Sequence, residues 1–263
     1  MKTVIQFSDC HLLQDTSRKG YGAISPYHSL ERLLAQLAQN SNTQKVSADV
    51  ADVVLTTGDI SGDGSPASYT HFLDLMERFV DVPWYVIPGN HDANPHYDKH
   101  LAPHMLLADS PLHIGNWCIH GLDTRPKQMA KGAQGEIDIL ELTCIERALS
   151  AQTHQHHLLA LHHHILPSNS WMDKHNLVNA ERLIEWLDSV KVINHIIHGH
   201  VHSPLRQQVG RDNVNSFGCP SSCWQWAMQA DFGVSNEQPG YHHIFLSDNG
   251  EASVSIKRLI QSN

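Results

Sequence analysis

The sequence contains an unusual number of histidines, and several of them are spaced as metal ligands could be. There are 22 histidines among 263 residues, several times an average share. The stretch IIHGHVHS, residues 196–203, places His198, His200 and His202 at alternate positions. Because neutral imidazole is the commonest metal ligand in proteins, the stretch raises the question of which of the three bind metal.

Four other short stretches combine residue types that bind metals or move protons. They are Asp9-x-His11, Gly58-Asp59, the GNHD motif of residues 89–92, and the triplet His162, His163 and His164. Each is weak alone, since a strand-end turn explains Asp-x-His or Gly-Asp, and a buried imidazole bonded to the backbone explains a lone histidine. GNHD is the strongest because it holds an oxygen ligand, an acid or base and a carboxylate in one turn.

The chain around these stretches alternates between predicted strands and helices. Apolar β-type runs predict strands at 3–8, 51–58, 84–89, 116–123, 156–164 and 193–200. Helical periodicity, such as the leucines at 30, 33, 34 and 37, predicts helices at 29–39, 68–79, 136–151 and 180–189. This alternation indicates parallel βαβ units and an α/β fold.

All five candidate stretches lie where a predicted strand ends. Ligands of open α/β sheets bind outside the carboxyl ends of the strands, so five coincidences in order favour one shared site. The strand at 116–123 differs, because it ends in Asp123 without a second candidate ligand.

The last quarter of the chain has a different character. After Ser203, short strand-like runs separated by turn sequences predict mostly antiparallel structure. We expect a single domain over residues 1–263, with two long loops at 123–136 and 166–176.

Composition excludes several classes of function. The net charge of −9 argues against nucleic acid as a partner, since binding the phosphate backbone of a nucleic acid requires a basic surface. The apolar run before Asp9 is too short for a secretory signal, and no run could span a bilayer, so we expect a cytoplasmic protein without membrane contact. Five scattered cysteines indicate no disulfide framework, and the CPSSC spacing of Cys219 and Cys223 is a poor match to a zinc site.

Taken together and in order, the motifs Asp9-x-His11, Gly58-Asp59, GNHD, His162-His163 and Gly199-His200-x-His202 resemble the signature of the calcineurin-like metallophosphoesterases. The resemblance covers residues 1 to about 260. It implies an αββα sandwich of two mixed β-sheets flanked by helices. It also implies two metal ions, one held by Asp9, His11 and His202, the other by Asn90, His162 and His200, with Asp59 between them.

The resemblance also implies a mechanism. A hydroxide between the two ions would attack phosphorus while the ions offset the charge of the phosphate oxygens. His91 has no metal role, so we assign it, with Asn90, to phosphate contact, and to protonation of the leaving alkoxide, with Asp92 as its orienting partner. Ligands of Asp, Asn and His suit iron and manganese, the pair we expect first, or zinc or cobalt.

Within this superfamily the sequence is most similar to the bacterial class III cyclic-nucleotide phosphodiesterases. The likeness includes the segments TGDISGDGSPASY, LHHHILPSNSWMDKHNLVNA and CPSSCWQW. It implies hydrolysis of a 3',5'-cyclic nucleotide, with cyclic AMP first, and Trp171, His175 or Asn179 as pocket residues. Ile165 replaces a usual proline, and the 123–136 loop is longer than expected, which affects the pocket wall.

The sequence is also compatible with two other functions. Another nucleotide substrate such as ADP-ribose would need the same metals and a different pocket. A non-catalytic scaffold of the same fold would be expected to lose ligands, yet all seven ligand positions and His91 remain. The resemblance is also compatible with a homodimer. Of the three histidines in IIHGHVHS, we expect His198, still within the strand, to pack or to support a ligand.

Overall fold

Two mixed β-sheets packed against each other form the centre of the protein. The computed structural model describes residues 1–152 and 155–260. The strands are β1 (Lys2–Phe7), β2 (Val53–Thr57), β3 (Trp84–Ile87), β4 (Leu112–Ile114), β5 (Trp117–Gly121), β6 (His156–Ala160), β7 (Ile193–His198), β8 (Leu205–Val209), β9 (Val214–Gly218), β10 (Gln225–Trp226), β11 (Val234–Ser235), β12 (Gly240–Leu246) and β13 (Ala252–Arg258).

The helices lie on the outer faces of the sheets. They are α1 (Pro26–Ala38), α2 (Pro66–Phe79), α3 (Pro95–Leu101), α4 (Ile139–Ala151) and α5 (Ala180–Val190), with short 3-10 turns at Tyr21–Ala23, Asn90–Asp92, Ala102–His104 and Trp171–His175. Side-chain caps begin four of them: the hydroxyls of Ser25 and Ser65, the amide of Asn94 and the carboxylate of Asp138 accept from first-turn N–H groups, satisfying donors that a helix start leaves free.

The first sheet has the strand order β13-β12-β1-β2-β3, and the second has β4-β5-β6-β7-β9-β8. In the first, β1, β2 and β3 are parallel while β12 and β13 are antiparallel. In the second, β5, β6, β7 and β9 are parallel, and β4 and β8 form antiparallel edges. Parallel neighbours bring their carboxyl ends to one edge of each sheet.

Three apolar clusters hold the layers together. One lies between the sheets and includes Leu55, Ile119 and Ile197. A second joins the first sheet to α1, α2 and α3, and a third joins the second sheet to α4 and α5. The leucines at 30, 33, 34 and 37 are buried in the second cluster, as their spacing predicts. The αββα sandwich of mixed sheets is therefore confirmed.

The predicted elements agree with the structure, with four omissions. These are α3, β4, β10 and β11, all of them short. The last quarter is mostly antiparallel as predicted, in the pairs β8–β9, β10–β11, β1–β12 and β12–β13, and β9 also pairs parallel with β7. No helix within residues 1–152 and 155–260 combines the length and apolar character needed to cross a bilayer.

Candidate metal centre

The predicted ligands come together because every one of them follows a parallel strand. Asp9 and His11 follow β1, and Asp59 follows β2. Asn90 follows β3, His162 follows β6, and His200 and His202 follow β7. The two sheets thus contribute ligands from their adjoining carboxyl ends, and the side chains of Asp9, Asp59, His162, His200 and His202 are all at most 4 % exposed.

The backbone at these ligands has an unusual conformation. Five of the seven have positive φ, namely Asp9, His11, Asp59, His200 and His202, with values between 47° and 71°. A non-glycine residue in this region costs about 1–3 kcal/mol. Residues so held turn the chain sharply at the strand end, so side chains from different strands point into a common space.

Glycines next to the ligands allow close approach. A methyl group added at Gly89 would overlap the Asp59 carboxylate, and one added at Gly199 would overlap the Ser8 hydroxyl beside Asp9. Only a residue without Cβ lets these chains pass so closely. The Gly-Asp and Gly-His pairings of the motifs therefore have a packing reason.

The ligand atoms converge on two adjoining groups. His11 Nε2 lies 2.9 Å from His202 Nε2, and His202 Nε2 lies 3.3 Å from Asp9 Oδ1. Asp59 Oδ2 is 3.6 Å from His11 Nε2 and 3.4 Å from His162 Nε2. One carboxylate oxygen thus lies between histidines of the two predicted ligand sets, where a bridging ligand would be.

Backbone carbonyls set the orientation of three of these histidines. The Nδ1 atom of His162 lies 2.7 Å from the Thr57 carbonyl, and that of His202 lies 3.0 Å from the Trp224 carbonyl. For His200 the partner is Nε2, 2.9 Å from the His175 carbonyl. A carbonyl only accepts, so each of these nitrogens carries the proton and the opposite nitrogen is left for a ligand role.

The electrostatics favour a cation. Burial opposes ionisation of Asp9 and Asp59, yet nearby histidines outweigh it and lower the pKa of both carboxyls. Burial also disfavours charge on His162, but Asp59 raises its pKa to about 9, whereas burial lowers the pKa of His11 to about 3. Two buried carboxylates therefore attract positive charge into this space.

The donor set fits metal ions. Asn90 Oδ1 and His162 Nε2 are buried without a hydrogen-bond partner among the described residues, a costly state that a ligated ion would relieve. Asp9, His11 and His202 form one group whose ligand atoms lie within 4.8 Å of one another, and Asp9, Asp59 and His162 form another. Oxygen and imidazole donors of this kind suit first-row transition metals.

His91 and Asp92 follow Asn90 but have different surroundings. The His91 side chain is exposed, and its ring centre lies 4.8 Å from that of His11. The Asp92 carboxylate accepts instead from the N–H groups of Ile60, Ser61 and Gly89 and from the Tyr69 hydroxyl, with distances of 3.0 to 3.2 Å. The expectation that Asp92 orients His91 is therefore wrong: it fixes the loops that carry Asp59 and Asn90.

A cavity of about 300 Å³ opens above the ligands. Its floor includes His11, Asp59, Asn90, His200 and His202, with His91 beside them. Its walls carry four large aromatic residues, Tyr21, Trp171, Trp224 and Trp226. Of the described residues that line it, none is lysine or arginine, so an anion would meet positive charge at the floor alone.

The loops predicted to shape the pocket reach it only in part. Trp171 and His175 line the cavity as predicted, and Ala133 of the 123–136 loop joins them. Asn179 does not line it, because its side-chain amide pairs with both backbone groups of Ile137 at 2.9 Å. His198 is fully buried beside the site, with Nδ1 3.0 Å from the Gly199 carbonyl.

Two features of the site were not predicted from the sequence. The tryptophans of CPSSCWQW stack on ligands: Trp224 on His11 with ring centres 5.2 Å apart, and Trp226 on His202 at 4.9 Å. The second residue of the histidine triplet, His163, lies with His162 and His200 in a further group of potential ligands. The two tryptophans of CPSSCWQW were the sequence signal that could have predicted the stacking.

Known proteins share both the sequence pattern and the fold. A profile of the family described as calcineurin-like phosphoesterase matches residues 2–204. The chain is 30 % identical to the 3',5'-cyclic adenosine monophosphate phosphodiesterase CpdA of Haemophilus influenzae, over 98 % of this chain and 90 % of that protein. It is 29 % identical to a 3',5'-cyclic-nucleotide phosphodiesterase of Nostoc, over 98 % and 92 %.

Solved structures show the same fold at low identity. A dimetal phosphatase from Danio rerio superposes with a TM-score of 0.71 and 12 % identity, covering 99 % of this chain and 97 % of that one. A purple acid phosphatase from yellow lupin seeds gives a TM-score of 0.61 and 14 % identity, covering 98 % of this chain and 51 % of that one.

Proposed function

Because the chain belongs to the calcineurin-like phosphoesterase family, we propose that it hydrolyses 3',5'-cyclic nucleotides, with cyclic AMP as the preferred substrate and AMP as the product. The chain is a metal-dependent phosphodiesterase by family and by the names of relatives such as CpdA of Haemophilus influenzae. The observation that carries the finer proposal is the cavity, which has a metal-type floor and an aromatic wall.

The shape of this cavity suits a mononucleotide. Its volume of about 300 Å³ lies at the small end of the usual range for ligand pockets, which favours a cyclic mononucleotide over the larger ADP-ribose. The Nε1 groups of Trp171 and Trp224 are buried without a partner among the described residues. Both side chains line the cavity, where a purine would offer their rings a face for stacking.

In the proposed centre, Asp9, His11 and His202 would hold one ion, Asn90, His162 and His200 would hold the other, and Asp59 would be a ligand of both. Two bound ions would supply Lewis acidity, lowering the pKa of water and offsetting charge on the phosphate oxygens. The position of Asp59 Oδ2 between His11 and His162 supports the shared role.

The other residues position and protonate the substrate. Asn90 and His91 contact the phosphate from one side of the floor, and the backbone N–H of His91, 2.9 Å from Asp59 Oδ1, ties that turn to the shared ligand. The exposed His91 imidazole gives a proton to the leaving alkoxide. Asp92 holds the turn in place through its four hydrogen bonds.

Several broader expectations accompany this proposal. The apolar cluster shared by the two sheets supports one domain over residues 1–263. Iron and manganese are the proposed pair of ions, because a carboxylate, amide and imidazole donor set suits them. A cytoplasmic location and a homodimer stay predictions.

A substrate panel with one variant tests the proposal. Steady-state rates for cyclic AMP, 2',3'-cyclic AMP, ADP-ribose and an aryl phosphodiester should rank cyclic AMP first in kcat/KM. His91→Ala should lower kcat by roughly a hundredfold to ten-thousandfold while elemental analysis shows unchanged metal content. His113→Ala, an exposed histidine on β4, is the matched control and should keep the wild-type rate.

Two results would contradict the proposal. A rate for cyclic AMP orders of magnitude below that for ADP-ribose would move the substrate to the larger nucleotide. An unchanged rate in His91→Ala would remove the proton-donor role, whatever the preferred substrate.

A further inference from the structure

A second group of metal-type side chains lies away from the catalytic floor. Cys118, His120 and His157 have ligand atoms within 4.8 Å of one another, and all three are buried. Cys118 and His120 are on β5 and His157 is near the start of β6. His162 follows the other end of β6, five residues further on, which places the group on the order of 15 Å along the strand from the catalytic ligands.

The strand register explains why these three side chains meet. Positions 118 and 120 are two apart on β5, so they point to the same face of the sheet. Cys118 is paired with His157 across the β5–β6 ladder, and paired residues of neighbouring strands share a face. The face is the one covered by α4 and α5, because Leu159, two residues after His157, packs in that apolar cluster.

Hydrogen bonding within the group is incomplete. His120 Nε2 lies 3.0 Å from His157 Nδ1, so one proton is shared by two imidazoles. The other nitrogen of His120, Nδ1, is fully buried and has no partner among the described residues. A buried polar atom without a partner is destabilising, and an apolar pair at this position would avoid that cost.

The same group has an open approach. His157 lines a cavity of about 490 Å³ together with Glu146, Leu149, Gln155 and Ser189. The cavity therefore meets the group at His157, between α4 and α5.

We propose that Cys118, His120 and His157 bind one zinc ion at a site separate from the catalytic pair, with the fourth position left to water from the cavity. One thiolate and two imidazoles are donors that zinc accepts in tetrahedral geometry. Two nitrogens bound to such an ion at 2.0–2.1 Å lie about 3.3 Å apart, close to the 3.0 Å between His120 and His157.

Burial acts in opposite directions on the two kinds of donor in this group. Burial lowers the pKa of His120 to about 4, with His157 contributing, so the ring is in its ligating neutral form. Burial raises the pKa of the Cys118 thiol to about 12. Zinc binding forms the bond from the ion to the sulfur and releases the thiol proton to water.

Cobalt provides a direct test, because a thiolate bound to Co²⁺ gives a near-ultraviolet charge-transfer band and the proposed catalytic ligands contain no thiolate. Metal-free full-length protein would be titrated with Co²⁺ and its metal content measured. We expect three ions per chain and the thiolate band. Cys118→Ser and His157→Gln should each lose the band and one ion, while Cys144→Ser, at a half-buried cysteine on α4, should keep both.

The outcomes separate this site from the catalytic one. A wild-type protein that binds cobalt without a thiolate band would overturn the proposal. A band that persists at full strength in Cys118→Ser and His157→Gln would also overturn it, because another thiol would then be the ligand. If Cys118→Ser does not fold, His157→Gln decides, since its side chain lies at the cavity wall.

Discussion

The two histidine-rich groups of this protein both take a residue from strand β6 or its end, and they are built differently. The catalytic floor takes its ligands from strand ends, with five residues at positive φ and two buried carboxylates. The group formed by Cys118, His120 and His157 uses regular ladder positions inside strands and contains no carboxylate. The comparison shows that strand ends allow side chains from several strands to converge, whereas ladder positions bring together residues of one strand and its neighbour.

Charge separates the two groups as clearly as geometry does. Asp9 and Asp59 give the catalytic floor negative charge that histidines and metal ions must balance. The second group is neutral until the Cys118 thiol ionises, and burial opposes that step. We therefore expect the catalytic centre to bind hard and borderline cations, and the second group to select thiophilic ones.

The largest effect should come from the shared carboxylate. Asp59→Ala should remove both catalytic ions together and lower the rate of cyclic AMP hydrolysis at least about a thousandfold, while leaving the cobalt–thiolate band of the second group in place. Elemental analysis and rate measurements check this. The control is Asp74→Ala, at an exposed position of α2; loss of only one catalytic ion in Asp59→Ala would count against a shared ligand.

A smaller effect should follow from filling the space beside that carboxylate. A methyl group at Gly89 overlaps the Asp59 side chain, so Gly89→Ala should displace it and lower kcat by about a hundredfold, the cost of a displacement near 1 Å. Gly132→Ala, whose added methyl group meets nothing within 4 Å, should change kcat little. A fall in kcat as large in Gly132→Ala as in Gly89→Ala would show that contact with Asp59 is not responsible, because Gly132 has no such contact.

The smallest effect should come from the aromatic wall of the catalytic cavity. Trp171→Ala should raise KM for cyclic AMP by about tenfold, since stacking on a base contributes about 1–3 kcal/mol, with kcat nearly unchanged. Trp171→Phe keeps a ring but loses the indole N–H, so its KM should lie between the two. A large fall in kcat without a change in KM would place Trp171 in the chemistry instead of base binding.

Local sequence was sufficient to predict most elements and the residues that come together at the candidate metal centre. The periodicity of neighbouring residues predicts strands and helices. Because ligands of α/β sheets bind at strand ends, the five motifs could be assigned to one site. Asp92 shows where this reasoning fails. Its adjacency to His91 suggested a pair, yet backbone groups of residues 60, 61 and 89 bind its carboxylate, and no sequence distance reports such contacts.

The sequence by itself determined the alternating βαβ pattern, the family and the residues that gather at the candidate metal centre, because these depend on local periodicity and on motifs in a fixed order. Only the tertiary structure decided that Trp224 and Trp226 stack on ligand histidines, and that Cys118 and His157 share one face beneath α4 and α5. Those contacts depend on strand register and on packing between layers. They join residues far apart in the chain, for which no local pattern exists.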